Sequence, residues 1–244
     1  MPLDPTPITA EDRAELLRSS YRHPAAQAIL TAALRDPLVG NTALVSSFGA
    51  ESVVLLHMVA TLKPDLPVLM IDTQMLFAET LDYQRGLVAS LGLSNVQVIR
   101  TDAGALAAGD PDGTLHRSDP DACCALRKTA TLERALTGYD SWITGRKRFQ
   151  TGARAALPHF EAADGRVKIN PLAHWRREDL VAYIDNKNLP RHPLVAKGFA
   201  SIGCAPCTTP VGAQEDPRAG RWRGQAKEEC GIHFENGQLK RGAA

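Results

Sequence analysis

Ala43-Leu44-Val45-Ser46-Ser47-Phe48-Gly49-Ala50-Glu51-Ser52 joins a short apolar run to a helical pattern through a turn of small residues. Residues 43–46 read as a buried strand, and Ser52–Leu62 repeats its apolar positions at helical spacing. The same unit recurs along the chain. Apolar runs at 68–71, 96–99 and 142–143, with a fifth at 167–169, alternate with helical patterns at 79–91 and 127–136. Strands alternating with helices predict a parallel sheet covered on both faces, and near-continuous apolar strands suit that double burial. The predicted class is therefore α/β, a doubly wound and mostly parallel sheet.

Outward from this core the chain changes character on both sides. Toward the N-terminus, 9–17 reads as a helix capped by Thr9 with Glu11 and Asp12 in its first turn, and 23–34 as a second helix. The last clear helix is Arg177–Asn186. Beyond Leu189, prolines and glycines such as Pro190, Pro193, Gly198, Gly203, Pro206 and Pro210 break any long element, predicting a loop-rich C-terminal tail. The expected organisation is a helical segment over 1–40, an α/β domain over 41–200 and a cysteine-bearing segment over 201–244, all in one globular unit.

Bulk composition narrows the function classes. Hydrophobic residues make up 44% and charged residues 23%, a globular rather than disordered balance. Twenty-eight basic against 27 acidic residues leave a net charge of +1, which excludes a global pull toward nucleic acid or an anionic membrane. No apolar run approaches the ~20 residues a membrane span needs. Asp4, Glu11 and Asp12 stand where a secretory signal would be basic and then apolar, so a cytoplasmic location is expected. In that reducing setting the five cysteines point to metal or redox chemistry rather than structural disulfides.

Four of those cysteines form two close pairs, Cys123-Cys124 and the CxxC of Cys204-Ala205-Pro206-Cys207. Four thiolates suffice for zinc or for an iron–sulfur cluster. Adjacent cysteines present both sulfurs poorly to one small ion, whereas the separate irons of a cubane can each take one. The fifth lies in Glu228-Glu229-Cys230-Gly231-Ile232-His233, a stretch too polar for a buried structural thiol and better suited to a reactive one. Glu228 and Glu229 disfavour its thiolate, so activation is expected only when this tail docks against a basic site.

Two basic clusters stand out: Arg146-Lys147-Arg148 with Arg154 after the fourth strand, and Arg218, Arg221 and Arg223 around Trp222. Arginine's planar fork matches phosphate and sulfate. The Ser46–Ser52 turn has no Gly-Lys-Ser of a Walker loop and no GxGxxG, yet small residues before a helix can expose backbone N–H groups to a phosphate.

Taken together these segments resemble one family. The turn at 46–52 is similar to the pyrophosphate loop of the adenine-nucleotide α-hydrolase-like, Rossmann-like fold, with Glu51 in place of the aspartate of the ATP-cleaving members and Phe48 interrupting the glycines. Asp72-Thr73-Gln74 with Phe77-Ala78-Glu79-Thr80 resembles a second conserved stretch, Gln74 replacing its glycine. Cys123-Cys124 with Lys128, Gly203-Cys204-Ala205-Pro206-Cys207-Thr208, and the motif around Cys230 resemble the assimilatory adenylyl-sulfate reductases of the phosphoadenylyl-sulfate/adenylyl-sulfate reductase family.

That resemblance implies a [4Fe–4S] cluster on Cys123, Cys124, Cys204 and Cys207, and Cys230 as the nucleophile. It also implies substrate contacts from Ser46, Ser47, Gly49, Glu51, Lys128, Arg154, Arg218, Arg221 and His233. The expected reaction is thioredoxin-dependent reduction of adenylyl sulfate to sulfite and AMP through a Cys230 S-sulfonate, in sulfate assimilation and cysteine biosynthesis. Expected partners are the substrate and a dithiol protein, with no nucleic acid or membrane and with a homo-oligomer open. A reductase of the 3′-phosphorylated nucleotide, or of both, is the nearest alternative. An ATP-dependent sulfurtransferase and a zinc-stabilised nucleic-acid module are more distant ones.

Overall fold

The computed structural model describes residues 8–22, 25–225, 227 and 229. Two helices lead in, α1 (Ala10–Ser20) and α2 (Ala26–Arg35). Thr9 caps α1 as its sequence position predicts: Asp12 N–H donates to Thr9 Oγ1 at 3.1 Å, and Thr9 N–H donates to Asp12 Oδ2 at 3.2 Å. Four strand–helix units follow. They are β1 (Thr42–Val45) with α3 (Ser52–Leu62), β2 (Val68–Asp72) with α4 (Ala78–Leu91), and β3 (Val96–Arg100) with α5 (Ala103–Gly109). The last is a chain of short helices, α6 (Leu115–Ser118), α7 (Pro120–Cys124) and α8 (Ala130–Ala135), leading into β4 (Ser141–Ile143). A hairpin of β5 (Phe160–Ala163) and β6 (Arg166–Ile169) and a last helix, α9 (Arg177–Asn186), complete the layers.

The six strands run in the order β3-β2-β1-β4-β6-β5, parallel except for β5 against β6. Alternate strand residues enter separate cores. Leu44, Val68, Met70 and Ile143 face the large core with α2, α3 and α9, while Ala43, Leu69, Ile71 and Trp142 face a smaller one with Leu132 and Leu136 of α8. Both faces are thus covered, which is the doubly wound arrangement and explains why β1 and β2 carry no polar alternation.

Two elements differ from the sequence expectation. Strand β5 is additional and antiparallel. Its signal is Asp164-Gly165, with φ of 51° and 72°, the two left-handed positions of a type I′ hairpin turn. The helix expected over 127–136 begins earlier, at Pro120, and changes to a π-helical turn over Ala125–Thr129 before α8. Asp119 starts it, its Oδ1 accepting from Asp121 N–H and Ala122 N–H, with Pro120 at the first helical position. Beyond α9 the helical turns among the described residues are 3₁₀, at Pro193–Lys197 and Ala205–Cys207.

Candidate active site

Strand order reverses between β1 and β4, and in an open α/β sheet the crevice at the carboxyl ends of such strands is where ligands bind. A cavity of about 260 Å³ opens there. Ser46, Ser47, Gly49, Glu51, Lys128, Arg154, Cys204, Arg218 and Arg221 all line it, drawn from five separate stretches of sequence.

The loop after β1 is held from within. Phe48 N–H donates to Ser46 Oγ at 3.2 Å and Gly49 N–H donates to Ser52 Oγ at 3.0 Å. Phe48 takes φ of 50°, a left-handed conformation unusual for an aromatic residue, while its ring is fully buried in the large core. Burial of the ring offsets that backbone cost and fixes the loop's path. Glu51 is engaged by protein groups: Lys147 Nζ reaches its Oε2 at 2.7 Å and Gln150 Nε2 at 3.1 Å. Burial alone raises the Glu51 pKa, but Lys147 and Gln150 outweigh it and hold the carboxyl below its ordinary value. Gln150 also accepts from Arg154, so Glu51 orders the basic side of the cavity through two intermediaries.

Arg154, only 8% exposed, extends into the cavity and donates from Nη2 to Glu229 Oε2 at 2.6 Å. Thr151 Oγ1 donates to Glu229 Oε1 at 3.0 Å, and Arg218 stands 3.7 Å from Oε2. Glu229 therefore lies against basic side chains of the cavity wall. Lys227 forms an ion pair with Asp121 on α7. Cys230 and His233 lie outside the described residues.

The CxxC loop is pinned from both sides. Ala205 N–H donates to Met75 O at 2.7 Å, and Trp222 N–H to Cys207 O at 3.1 Å. Thr73 Oγ1 and Cys204 Sγ are 3.2 Å apart. Cys123, Cys124 and Cys204 are buried, and none of the four described cysteines is in a disulfide. The Cys123 thiol is pushed up to about 11, by burial first and then by Cys124, Cys204 and Cys207, against the pull of Arg127. The Cys207 thiol is raised as well, by burial first and then by Cys204, with Lys128 and Arg221 opposing. Two pairs separated by 80 residues of sequence thus share one electrostatic neighbourhood. Among the described residues, no group of three or more His, Cys, Asp or Glu side chains is placed to hold a metal ion.

Lys128 is 9% exposed rather than a solvated helix lysine. It sits in the π-helical turn, where the wider winding displaces it from the position an α-helix would give four residues after Cys124. It lines the cavity, and its charge acts on Cys207.

Several site residues have no local signal in the sequence. Arg127 is buried, donates from Nε and Nη2 to Asp110 Oδ2 and from Nη1 to Thr73 O at 2.9 Å. Lys147, Gln150 and Arg177 also line the cavity. Trp222, with φ of 49°, stacks under Arg221 at 4.4 Å, and its buried Nε1 has no hydrogen-bond partner among the described residues. The tryptophan reads in sequence as part of a basic cluster, while Arg127 and Lys147 gain meaning only from partners far along the chain.

Comparison with known proteins bears on this site. Residues 41–210 match the model of the phosphoadenosine phosphosulfate reductase domain. The chain is 49% identical to an adenosine 5′-phosphosulfate reductase of Chelativorans sp. over 96% of each chain. It is 50% identical to one of Mesorhizobium japonicum, over 89% of this chain and 86% of that one. Among solved structures, a phosphoadenylyl-sulfate reductase from Candida auris in a phosphate complex superposes with a TM-score of 0.69 at 26% identity, over 80% of this chain and 96% of that one.

Proposed function

This chain belongs to the phosphoadenosine phosphosulfate reductase domain family, and from that membership we propose that it reduces adenylyl sulfate to sulfite and AMP. One observation carries the reading. Glu229, the residue before the reactive-cysteine candidate Cys230, lies on Arg154 at the ligand crevice of the sheet. The residue that precedes the tail cysteine in sequence therefore meets an arginine-rich anion site. The unphosphorylated nucleotide is favoured because relatives at 49% and 50% identity carry that name, whereas the phosphoadenylyl-sulfate reductase structure is 26% identical.

In the first step the Cys230 thiolate attacks the sulfur of adenylyl sulfate. A bond forms between the two sulfurs, the bond from sulfur to the bridging oxygen breaks, and AMP leaves with that electron pair. Arg154, Arg218, Arg221 and Lys128 neutralise the phosphosulfate and the charge that grows on the leaving phosphate. Ser46, Ser47 and Gly49 border the same cavity and shape its phosphate end. Glu51 contributes indirectly, by fixing Lys147 and Gln150, and His233 belongs to the same sequence motif as Cys230. In the second step a thiolate of a dithiol protein, thioredoxin by chemical class, attacks Cys230 Sγ. Sulfite departs with the S–S electron pair, and the partner's second thiol releases Cys230 as the partner becomes a disulfide.

Cys123, Cys124, Cys204 and Cys207 fit a [4Fe–4S] cluster. Their thiols influence one another, and Trp222, whose buried Nε1–H has no partner among the described residues, bonds Cys207 O through its backbone N–H. The adjacent Cys123 and Cys124 present both sulfurs poorly to one zinc ion, whereas the separate irons of a cubane can each take one. When bound, the cluster supplies electrostatic organisation of the site rather than an electron path. Buried thiols without disulfides agree with a reducing, cytoplasmic setting, and no helix among the described residues is long and apolar enough to cross a membrane. The three stretches 1–40, 41–200 and 201–244 then act as one globular unit.

The test is to incubate anaerobically purified protein with adenylyl sulfate and no reductant. One AMP per protein and a sulfonate on the peptide containing Cys230, seen by mass spectrometry, are expected. AMP release with no modified cysteine would overturn the two-step route.

A further inference from the structure

Both oxygens of the Glu229 carboxylate are engaged. Oε2 accepts from Arg154 Nη2 at 2.6 Å with Arg218 at 3.7 Å, and Oε1 accepts from Thr151 at 3.0 Å. The carboxylate lies in the cavity wall, its side chain 24% exposed. Bonds between charged groups at such lengths are about twice as strong as neutral ones. Two residues earlier, Lys227 pairs with Asp121 and lies 5.6 Å over the Trp222 ring, so the tail is fastened on both sides of Glu228.

Resting on the reading that Arg154 and Arg218 receive the phosphosulfate, we propose that Glu229 is an internal competitor for that site: its carboxylate occupies the arginines in the free protein and leaves when substrate binds. The chemistry is that of one anion replacing another. A carboxylate and a phosphosulfate oxygen on the same guanidinium would stand within a few ångströms, where like charges in a partly buried site repel strongly. Sharing is therefore disfavoured and exchange is favoured. The carboxylate keeps the basic cavity neutralised between turnovers and excludes adventitious anions. Because Glu229 is bonded to Cys230, exchange also couples arrival of substrate to movement of the nucleophile. Apparent substrate affinity is the difference between two arginine–anion interactions and is weaker than the site alone would give.

Equilibrium binding tests this on full-length, anaerobically purified protein in which Cys230→Ser prevents turnover. Calorimetric titration with adenylyl sulfate compares that parent with Cys230→Ser/Glu229→Gln and Cys230→Ser/Glu228→Gln, which lose the same formal charge. The expected result is that Glu229→Gln tightens binding roughly tenfold while Glu228→Gln changes it by less than about twofold. Unchanged or weaker binding in Glu229→Gln would overturn the competition while leaving the reductase reading in place. Equal tightening in both variants would replace it with a diffuse charge effect. A parent that fails to bind adenylyl sulfate at all removes the reductase reading and the competition with it.

Discussion

Arg127 crosses from the helix that carries the cysteine pair to Asp110, with Nε and Nη2 both on Oδ2 at 3.1 and 2.7 Å. Both side chains are buried, at 7% and 2% exposure. Arg127 Nη1 continues to Thr73 O, and Thr73 Oγ1 touches Cys204 Sγ, so one guanidinium ties the two cysteine loops together. Removing one partner of such a pair leaves an uncompensated buried charge. Asp110→Ala is expected to cost about 3–5 kcal/mol in urea unfolding. The double change Asp110→Leu with Arg127→Met recovers a good part of it, because apolar residues leave no buried charge. A double variant no more stable than the single would contradict this.

A second prediction concerns Gly220. A Cβ there would lie 2.1 Å from the carbonyl oxygen of Thr209, a backbone atom that cannot rotate away. Thr209 N–H donates to Gly220 O, and Thr208 bridges to Arg221, so the two segments are locked at close approach. Gly220→Ala is expected to separate them and displace Arg221 and Trp222. Loss of at least about 2 kcal/mol of stability, together with a changed tryptophan fluorescence, is the expected readout.

Gln74 takes φ of 59° in the turn after β2, a left-handed backbone that favours glycine. Its side chain is exposed, so no packing offsets the left-handed backbone. Gln74→Gly is expected to stabilise by about 1 kcal/mol, which raises Tm by about 2–4 °C in a chain of this size. An unchanged or lower Tm would show that the glutamine makes up the difference elsewhere.

His192 makes stability depend on pH. It is fully buried, its Nδ1 accepting from Leu194 N–H at 3.2 Å and its Nε2 lying 3.1 Å from Thr80 Oγ1. Burial drives its pKa down to about 4, with Glu79 opposing weakly. The folded protein therefore favours neutral imidazole. Its contribution is complete above the unfolded value of about 6.5 and is lost as pH falls toward 4, by an amount on the order of 3 kcal/mol. The urea midpoint of wild type should fall across that window, and that of His192→Asn should fall less. Parallel pH profiles would exclude His192 as the cause.

The sheet is legible in the sequence where its strands are buried, as β1 and β2 are, and edge strand β3 reads from its apolar residues although none is fully buried. Residues 43–46, 68–71 and 96–99 read as apolar runs and fall on β1, β2 and β3 within a residue or so. Strand β5 is less so, since Phe160 is its one fully buried residue and Glu161 interrupts the apolar pattern. Helix α5 escapes for a related reason: Ala103–Gly109 buries nothing and so shows no amphipathic face. In the site, the cysteine pairs and arginines are visible as motifs. Their partners are not, because Glu51 with Lys147 and Thr151 with Glu229 are separated by 96 and 78 residues and no local rule connects them. The burial of Lys128 depends on a π-helical turn, which no residue spacing in 120–136 announces.

Sulfite release is the most direct measurement. Anaerobically purified protein is given adenylyl sulfate, thioredoxin and a reductant, beside Cys230→Ser and beside the 3′-phosphorylated substrate. Sulfite from wild type and none from Cys230→Ser, with adenylyl sulfate the better substrate, is the expected result. No sulfite from cluster-loaded wild type with either nucleotide would contradict the assignment.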